Sequence, residues 1–545
     1  MDRDVPVGIV GAGPVGLASA LRLASFEVAS VVLEAEAHLP EQGSRACCIQ
    51  GDVIEILDKV AVGEAIAAEG VEWHIGRTYV GGRLLFETTY PRNGGFSPWT
   101  NLSQYRTQQL MLERLAASTP RLAEVRWGHR VVAISQDDDG VTVTAETPTG
   151  RFDLRCQYLI AADGVHSDVR RLLDVPWTGY QHGDRFLIAD IRAALPLAHE
   201  RHFHFDSPSN PGRQLVMHAQ PDNVWRIDWQ LPDSADVDAE RRNGELDQRI
   251  RQVVRDVPYE IKWLSTYRFN QRVVRRMRVG RVLLAGDAAH ALPPFGARGM
   301  NSGIQDADNL AWKLAYVLSG VAGEPLLETY HIERHAAATE NLRITENTIK
   351  FMVPSSRIGR LARNTLLRLA PRVKALRGRV NSGKMSEPFV YTNSPIIASR
   401  PDSPLVGQFA PDAMVLVDGR PVRLRTLFGT EFVGLYFGAD AAEASRFARL
   451  ALTNGRTAAP LRLYLILPAG VTVPDLPESA QVIQEVEDVA GARHTYQVAG
   501  SRWFLVRPDS HIAAAGDGAH SRPGIADALR HSIGGPLQAA ESGSR

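Results

Sequence analysis

An apolar, β-branched run from Val7 to Val10 stops at Gly11-Ala12-Gly13-Pro14-Val15-Gly16, a turn that few folds accommodate. The run suits a buried parallel strand. Gly11 permits a tight turn, Gly13 lets the backbone approach a pyrophosphate, and Gly16 lets the next helix lie against the strand. Pro14 stands in the first turn of that helix, where its missing N–H costs nothing. The free amides and dipole of a helix start favour a phosphate anion. A second strand, Val31-Val32-Leu33, ends in Glu34, a little over twenty residues beyond Gly11, where an acid should meet a ribose hydroxyl. A dinucleotide-binding α/β domain is expected.

Two later segments repeat the arrangement of strand and polar turn. Tyr158-Leu159-Ile160-Ala161-Ala162 delivers Asp163-Gly164, and Val282-Leu283-Leu284-Ala285 delivers Gly286-Asp287-Ala288-Ala289-His290, each to a strand C-terminus. Open α/β sheets bind ligands at that edge. Ala307, Leu310, Ala311 and Leu314 predict a helix beginning near Met300. Its first amides would face whatever Pro293-Pro294-Phe295-Gly296 encloses. Taken alone, Asp287 is equally well a capping or turn residue, and His290 reads as a packed structural histidine. Val131–Ile134 and Val141–Thr144 flank Asp137-Asp138-Asp139-Gly140 as a hairpin. Only one dinucleotide fingerprint occurs, so a permanent second nucleotide site is not expected.

Composition narrows the class. The 545 residues allow about three or four domains. Lys+Arg and Asp+Glu both total 61, so the net charge is zero and no nucleic-acid partner is expected. Cys47, Cys48 and Cys156 build neither a disulfide framework nor a metal site, which points to a reducing cytoplasm. The first strand follows Met1 closely and no apolar run is long enough to span a bilayer. Neither a signal peptide nor a membrane partner is expected.

Together, GAGPVG, YLIAADGVHSDVR and LLAGDAAHALPPFGARGMNSGIQDADNLAWKL resemble the FAD-dependent aromatic hydroxylases, the group of p-hydroxybenzoate and phenol hydroxylases, with the hydroxyphenylpropionate and chlorophenol hydroxylases nearer. The resemblance covers roughly residues 1–400 and keeps the family's motif order and spacing. It implies FAD as cofactor, with Gly11, Gly13, Pro14, Gly16 and Glu34 on its ADP half. Arg45, in Ser44-Arg45-Ala46, and Gln104, in Leu102-Ser103-Gln104-Tyr105-Arg106, match positions that contact the flavin nucleotide. Asp287, after Gly286, matches the carboxylate on the ribityl chain. Asp163 and Gly164 match the fingerprint shared by FAD and the nicotinamide donor. Pro294 precedes the helix start Gly299-Met300-Asn301, which would stabilise the negative edge of the reduced flavin.

The resemblance also implies a reaction. NADPH or NADH reduces the flavin, O2 adds to give a hydroperoxide, and its distal oxygen is transferred to a small phenolic ring. The protein supplies position, a dry pocket and a path for the phenolic proton. Two other readings remain open: an oxygenase that tailors a polyketide, and a catalytically silent flavoprotein that holds an unstable aromatic intermediate. Many relatives carry Gly-Gly-Gln-Gly where this chain has Gly296-Ala297-Arg298-Gly299, which brings Arg298 close to the flavin ring or the substrate.

His202-Phe203-His204-Phe205, Gln214 to His218 and Val224-Trp225-Arg226-Ile227-Asp228-Trp229-Gln230 alternate as strands do. Arg226, Asp228 and Gln230 share one face, and alternation does not say which face is buried. By resemblance Arg226 lies near the flavin, and Asp228 is placed to bind or deprotonate a phenol. Nine basic and no acidic residues lie between Arg357 and Lys384, interleaved with leucines, so an amphipathic helix packed on the flavin domain is expected.

The expected architecture is α/β: a Rossmann-like FAD-binding domain from 1–75, 101–180 and 268–345, with an inserted mixed β-sheet substrate domain from 76–100 and 181–267. A helical connector, 346–400, and a C-terminal thioredoxin-like domain, 401–545, follow. Leu505-Val506-Arg507-Pro508-Asp509 then Ile512-Ala513 resembles the ending of the thioredoxin-like domain of phenol-type hydroxylases. Without cysteines there, a structural role or a homodimer is expected.

Overall fold

The computed structural model describes residues 4–40, 46–92, 94–118, 121–232, 234–352, 357–369, 385, 387–398, 403–453, 459–486, 491–519 and 524–535. Arg45 and the basic stretch beyond Leu369 lie outside the described residues.

Val5–Val10 is the middle of five parallel strands, with Ser30–Leu33 and Ala123–Arg126 on one side and Gly150–Ala161 and Val282–Leu284 on the other. The apolar runs Val7–Val10, Ser30–Leu33 and Val282–Leu284 are buried throughout, as parallel strands under crossover helices must be. All five end at one edge of the sheet. Backbone bonds there run Gly11 N to Leu33 O, Ala162 N to Val10 O and Ala285 N to Ala161 O, drawing three distant turns together. The hairpin forms as Arg130–Gln136 against Val141–Thr147, and the Asp137 carboxylate accepts from the amides of Asp139 and Gly140 in its turn.

A second eight-stranded sheet takes its strands from 75–89, 177–274 and His290–Ala291. Its pairings are antiparallel except Ile75–Val80 with Arg201–Ser207. Trp225, Ile227 and Trp229 pack under the helix Glu245–Val254 through Leu246, Ile250 and Val254. The opposite face, with Arg226 and Asp228, is also enclosed: it turns toward the ligand edge of the first sheet. The amphipathic helix Arg357–Leu369 packs on this second sheet rather than on the first. Leu367 joins the Phe186, Phe203 and Phe205 cluster, and Arg363 lies 5.0 Å over the Phe205 ring.

The C-terminal region folds around a seven-stranded sheet whose parallel core is Phe432–Phe437, Leu461–Leu467 and Ala480–Glu485. Among the described residues no helix is long and apolar enough to cross a membrane.

The helix Arg298–Leu318 joins the three large sheets. Its predicted start at Met300 moves to Arg298, capped by Ala297 in the left-handed region (φ 54°). Asp306 accepts from Gly286 N (2.9 Å), His290 Nε2 (2.6 Å) and Arg334 Nε (2.6 Å). Asp308 accepts from Arg22 Nε at 2.7 Å. Lys313 Nζ donates to Glu333 at 2.7 Å, and Arg507 from the C-terminal region donates to the same carboxylate at 2.5 and 2.9 Å. Asp509 then accepts from Asn309, Trp312 and Arg507. Removing one partner of a buried pair leaves an uncompensated charge. Arg507→Met should therefore cost about 3–5 kcal/mol in urea unfolding followed by tryptophan fluorescence, with Arg507→Met/Asp509→Leu losing less than the two single changes combined.

Candidate functional site

Two cavities meet where the ligand edge of the first sheet faces the second. One, of about 500 Å3, is lined by Ala12, Gly13, Glu34, Gln104, Gln108 and Trp127. The other, of about 370 Å3, runs from Pro14, Gly164 and Asp287 past Pro294, Gly299 and Met300 to the inner face of the second sheet. They share Gly13, Gln104, Trp263 and Ser265, so one extended molecule could thread both.

The glycine turn divides its labour. A Cβ on Gly16 would stand 1.9 Å from the Gly11 carbonyl oxygen, so Gly16 lets the helix seat on the strand. Gly11 has φ 102° and faces Ala162 at 2.5 Å from such a Cβ. At Gly13 a Cβ would meet nothing within 4 Å, because that side opens into the cavities. Glu34 Oε2 accepts from Ala12 N at 2.7 Å, holding the loop with its carboxylate at the groove. The open cradle at Gly13, the acid beside it and the helix start behind it fit a dinucleotide such as FAD.

Other expected cofactor residues act on the scaffold. Asp163 Oδ2 accepts from Val169 N at 3.0 Å, capping the following helix, and only Gly164 lines the cavity. Gly286 makes room for Val15, which a Cβ would meet at 2.8 Å. Asn301 is fully buried: its Oδ1 accepts from Gln50 N at 3.0 Å and its Nδ2 donates to Cys48 O at 3.0 Å. Arg298 lines the cavity, yet its guanidinium donates to Asn341 Oδ1 at 2.6 Å and Met385 O at 3.3 Å, and burial pushes its pKa down to about 10. His290 is wholly buried against Asp306.

The inner face of the second sheet presents ordered rows. Arg201, His218, Arg226, Asp190 and Trp263 stand side by side across five strands. The next row is Phe203, Val216, Asp228, Ile188 and Ser265. A third holds Phe205, Gln214, Gln230, Phe186 and Tyr267. One end of the cavity is therefore charged and the other aromatic, with Phe269 and Phe295 closing the apolar end.

Arg226 grips Asp190 with two bonds, Nε to Oδ1 at 2.8 Å and a terminal nitrogen to Oδ2 at 2.7 Å. Burial opposes its charge, but the Asp190 carboxylate outweighs that and lifts its pKa above the ordinary arginine value. Asp228 lines the cavity, and its Oδ1 has no hydrogen-bond partner among the described residues. Burial pushes its carboxyl up to about 7, against the pull of Arg226. His218 Nδ1 lies 3.4 Å from Cys48 Sγ; burial first, then Arg201 and Arg226, hold it well below the ordinary histidine range. Sequence reasoning missed Asp190, Arg201 and His218. Their signal was strand phase: Arg201 is in step with Phe203 and Phe205, and Asp190 is an acid set in the apolar run from Phe186 to Ile191.

Comparison with known proteins agrees with this geometry. The FAD binding domain model matches residues 4–345 and the aromatic-ring hydroxylase C-terminal model residues 403–536. The chain is 32% identical over 369 residues to a 3-(3-hydroxy-phenyl)propionate/3-hydroxycinnamic acid hydroxylase of Comamonas testosteroni, covering 67% of this chain and 61% of that one. It is 31% identical over 549 residues to a 12-dehydrotetracycline 5-monooxygenase/anhydrotetracycline 6-monooxygenase of Streptomyces rimosus, covering 97% and 99%. Among solved structures, OxyS anhydrotetracycline hydroxylase from Streptomyces rimosus has a TM-score of 0.74 at 27% identity over 98% of this chain and 100% of that one. A flavin-dependent monooxygenase solved with FAD and substrate shares the fold, with a TM-score of 0.80 at 22% identity and coverage of 98% and 100%. The chain belongs to the FAD-binding aromatic-ring hydroxylase family, and FAD is its cofactor. Its match to the hydroxyphenylpropionate hydroxylases of Comamonas testosteroni and Paraburkholderia xenovorans spans less than two thirds of their length.

The two glycines should separate on substitution. Gly13→Ala should keep the apoprotein's melting midpoint while weakening FAD binding about tenfold or more, because its Cβ enters only ligand space. Gly16→Ala should lower the apoprotein midpoint itself. Calorimetric melting and FAD titration of both variants check this.

Proposed function

We propose that the chain is an FAD-dependent monooxygenase that takes electrons from NADPH or NADH and places one atom of O2 on a phenolic or similarly electron-rich aromatic ring. The observation that carries this reading is Asp228, a carboxyl with pKa near neutral inside an aromatic-walled cavity that opens onto the nucleotide groove. When bound, FAD supplies the redox chemistry that activates oxygen. Gly13, Pro14, Glu34 and Gln104 would hold its nucleotide half, and Asp287, Pro294, Gly299 and Met300 its ring end. Phe186, Phe203, Phe269 and Phe295 exclude water and stack against the substrate ring.

Asp228 takes the phenolic proton. Transfer from a phenol near 10 to an ordinary aspartate near 3.9 is uphill by about 8 kcal/mol, whereas transfer to a carboxyl near 7 costs about 4 kcal/mol. Arg226, held in place by Asp190, favours the anions on either side of that transfer. In this reading the enzyme works in the cytoplasm on small molecules, and residues 401–545 serve a structural or dimer-forming role.

A second reading, a multi-ring substrate of the polyketide kind, draws support from the match to the tetracycline oxygenase along nearly the whole chain. Monocyclic and tetracyclic phenols, screened for NAD(P)H consumption and for product containing one atom from 18O2, separate the two; absence of labelled product from every phenol would overturn both. The pH profile tests the base. Below about 7 the Asp228 carboxyl is protonated and takes no proton, and above it is ionised, so hydroxylation at saturating substrate should rise through about pH 7. Asp228→Asn should lose that rise and about a hundredfold or more in rate. Unchanged phenol turnover in this variant would remove Asp228 from the proton path.

A further inference from the structure

One cation in the cavity has no counter-ion among the described residues. Arg201 opens the strand Arg201–Ser207, is only 7% exposed, and lines the cavity with its guanidinium 5.2 Å over the Phe203 ring. Among the described residues no carboxylate lies within ion-pair distance of it, and its side chain donates no hydrogen bond. Buried cations are ordinarily paired, because desolvation otherwise goes uncompensated.

Its neighbours do not neutralise it. His218, directly across the sheet, is kept uncharged by burial and by the two arginines. Cys48 is a thiol, pushed up by its bond with Cys47 and by burial. Arg226 already holds Asp190 in a two-bond grip, and Asp228 sits a row away, opposite Val216 and Ile188. The nucleotide groove is also remote from Arg201. Four strand spacings, about 19 Å, separate its strand from Glu260–Val274, whose Trp263 and Ser265 border the nucleotide groove.

We propose that Arg201 anchors a carboxylate of the substrate, so that the enzyme selects aromatic acids. The planar guanidinium matches a carboxylate with two parallel N–H···O bonds. Two strand spacings and one side-chain repeat place the backbones of Arg201 and Asp228 about 12 Å apart, a span that an extended arginine and one ring with a short acidic arm fill together. The acid group then lies at the charged end of the cavity, and the ring lies over Asp228 toward the aromatic end.

This assignment rests on the monooxygenase reading for the nature of the ring, but its test needs no turnover. The full-length, FAD-loaded protein without nicotinamide is titrated with matched acids and amides: 3-hydroxyphenylacetate with 3-hydroxyphenylacetamide, and 3-hydroxy-2-naphthoate with 3-hydroxy-2-naphthamide. Calorimetry and the perturbation of flavin absorbance report binding. In one pair at least, the acid should bind about tenfold or more tightly than its amide. Arg201→Met should abolish that preference by weakening the acid alone, and Arg201→Lys, which keeps the charge but not the fork, should restore part of it. FAD content should be unchanged in both variants. Equal binding of acid and amide by the unaltered protein, no binding of any of the four, or equal weakening of acid and amide by Arg201→Met would overturn the proposal. An acid that binds through Arg201 yet is never hydroxylated would instead count against the monooxygenase reading alone.

Discussion

Charges inside a protein must be matched, and the helix Arg298–Leu318 carries Asp306, Asp308 and Lys313 through the middle of this molecule. Together they are matched from several parts of the chain. Asp306 is met from the Gly286 turn and the helix Pro325–Met352, and Asp308 from the first helix through Arg22. Lys313 is met by Glu333, which Arg507 grips from the C-terminal region. Such pairs add little net stability, since desolvation offsets most of the attraction, but a misplaced partner is costly. They therefore set position. The helix they hold is the one whose first turn walls the cavity.

The cavity follows the same logic with the opposite outcome. Its second-sheet wall is laid out by strand register, two residues per step along each strand and one strand per step across. Register alone places Arg226 against Asp190, leaves Asp228 Oδ1 without a hydrogen-bond partner among the described residues, and separates a charged end from an aromatic one. The carboxylates of the scaffold helix are ion-paired, whereas that of Asp228 has no ion pair among the described residues. A site that lacks partners for its own polar groups is built to receive them from a ligand.

The glycine turn shows how far a motif can be read. Gly11, Gly13 and Gly16 were legible as a set because each answers a local steric demand. The structure sorts them: Gly11 and Gly16 serve chain packing, and Gly13 alone faces ligand space. Asp163, Gly286 and Asn301 belong to the same motifs, yet their groups bond or pack within the protein. Motif membership shows that a residue is near the site. Which way its side chain turns depends on the packing around it.

Local order was written along the chain: apolar runs that must be covered on both faces, glycines where no Cβ fits, and alternation that marks strands. These determined the parallel sheet, its ligand edge and the nucleotide turn, because each depends on residues a few positions apart. The sequence also left Arg226 and Asp228 on one face without saying what that face meets. Only the folded sheet decided it, by covering the tryptophan face with helices and closing the polar face over a cavity. Arg201, His218 and Asp190 became neighbours of those two through cross-strand pairing between residues that are distant in the chain. No local pattern records such a pairing, since it is settled by which register buries the most apolar surface while leaving the fewest charges alone.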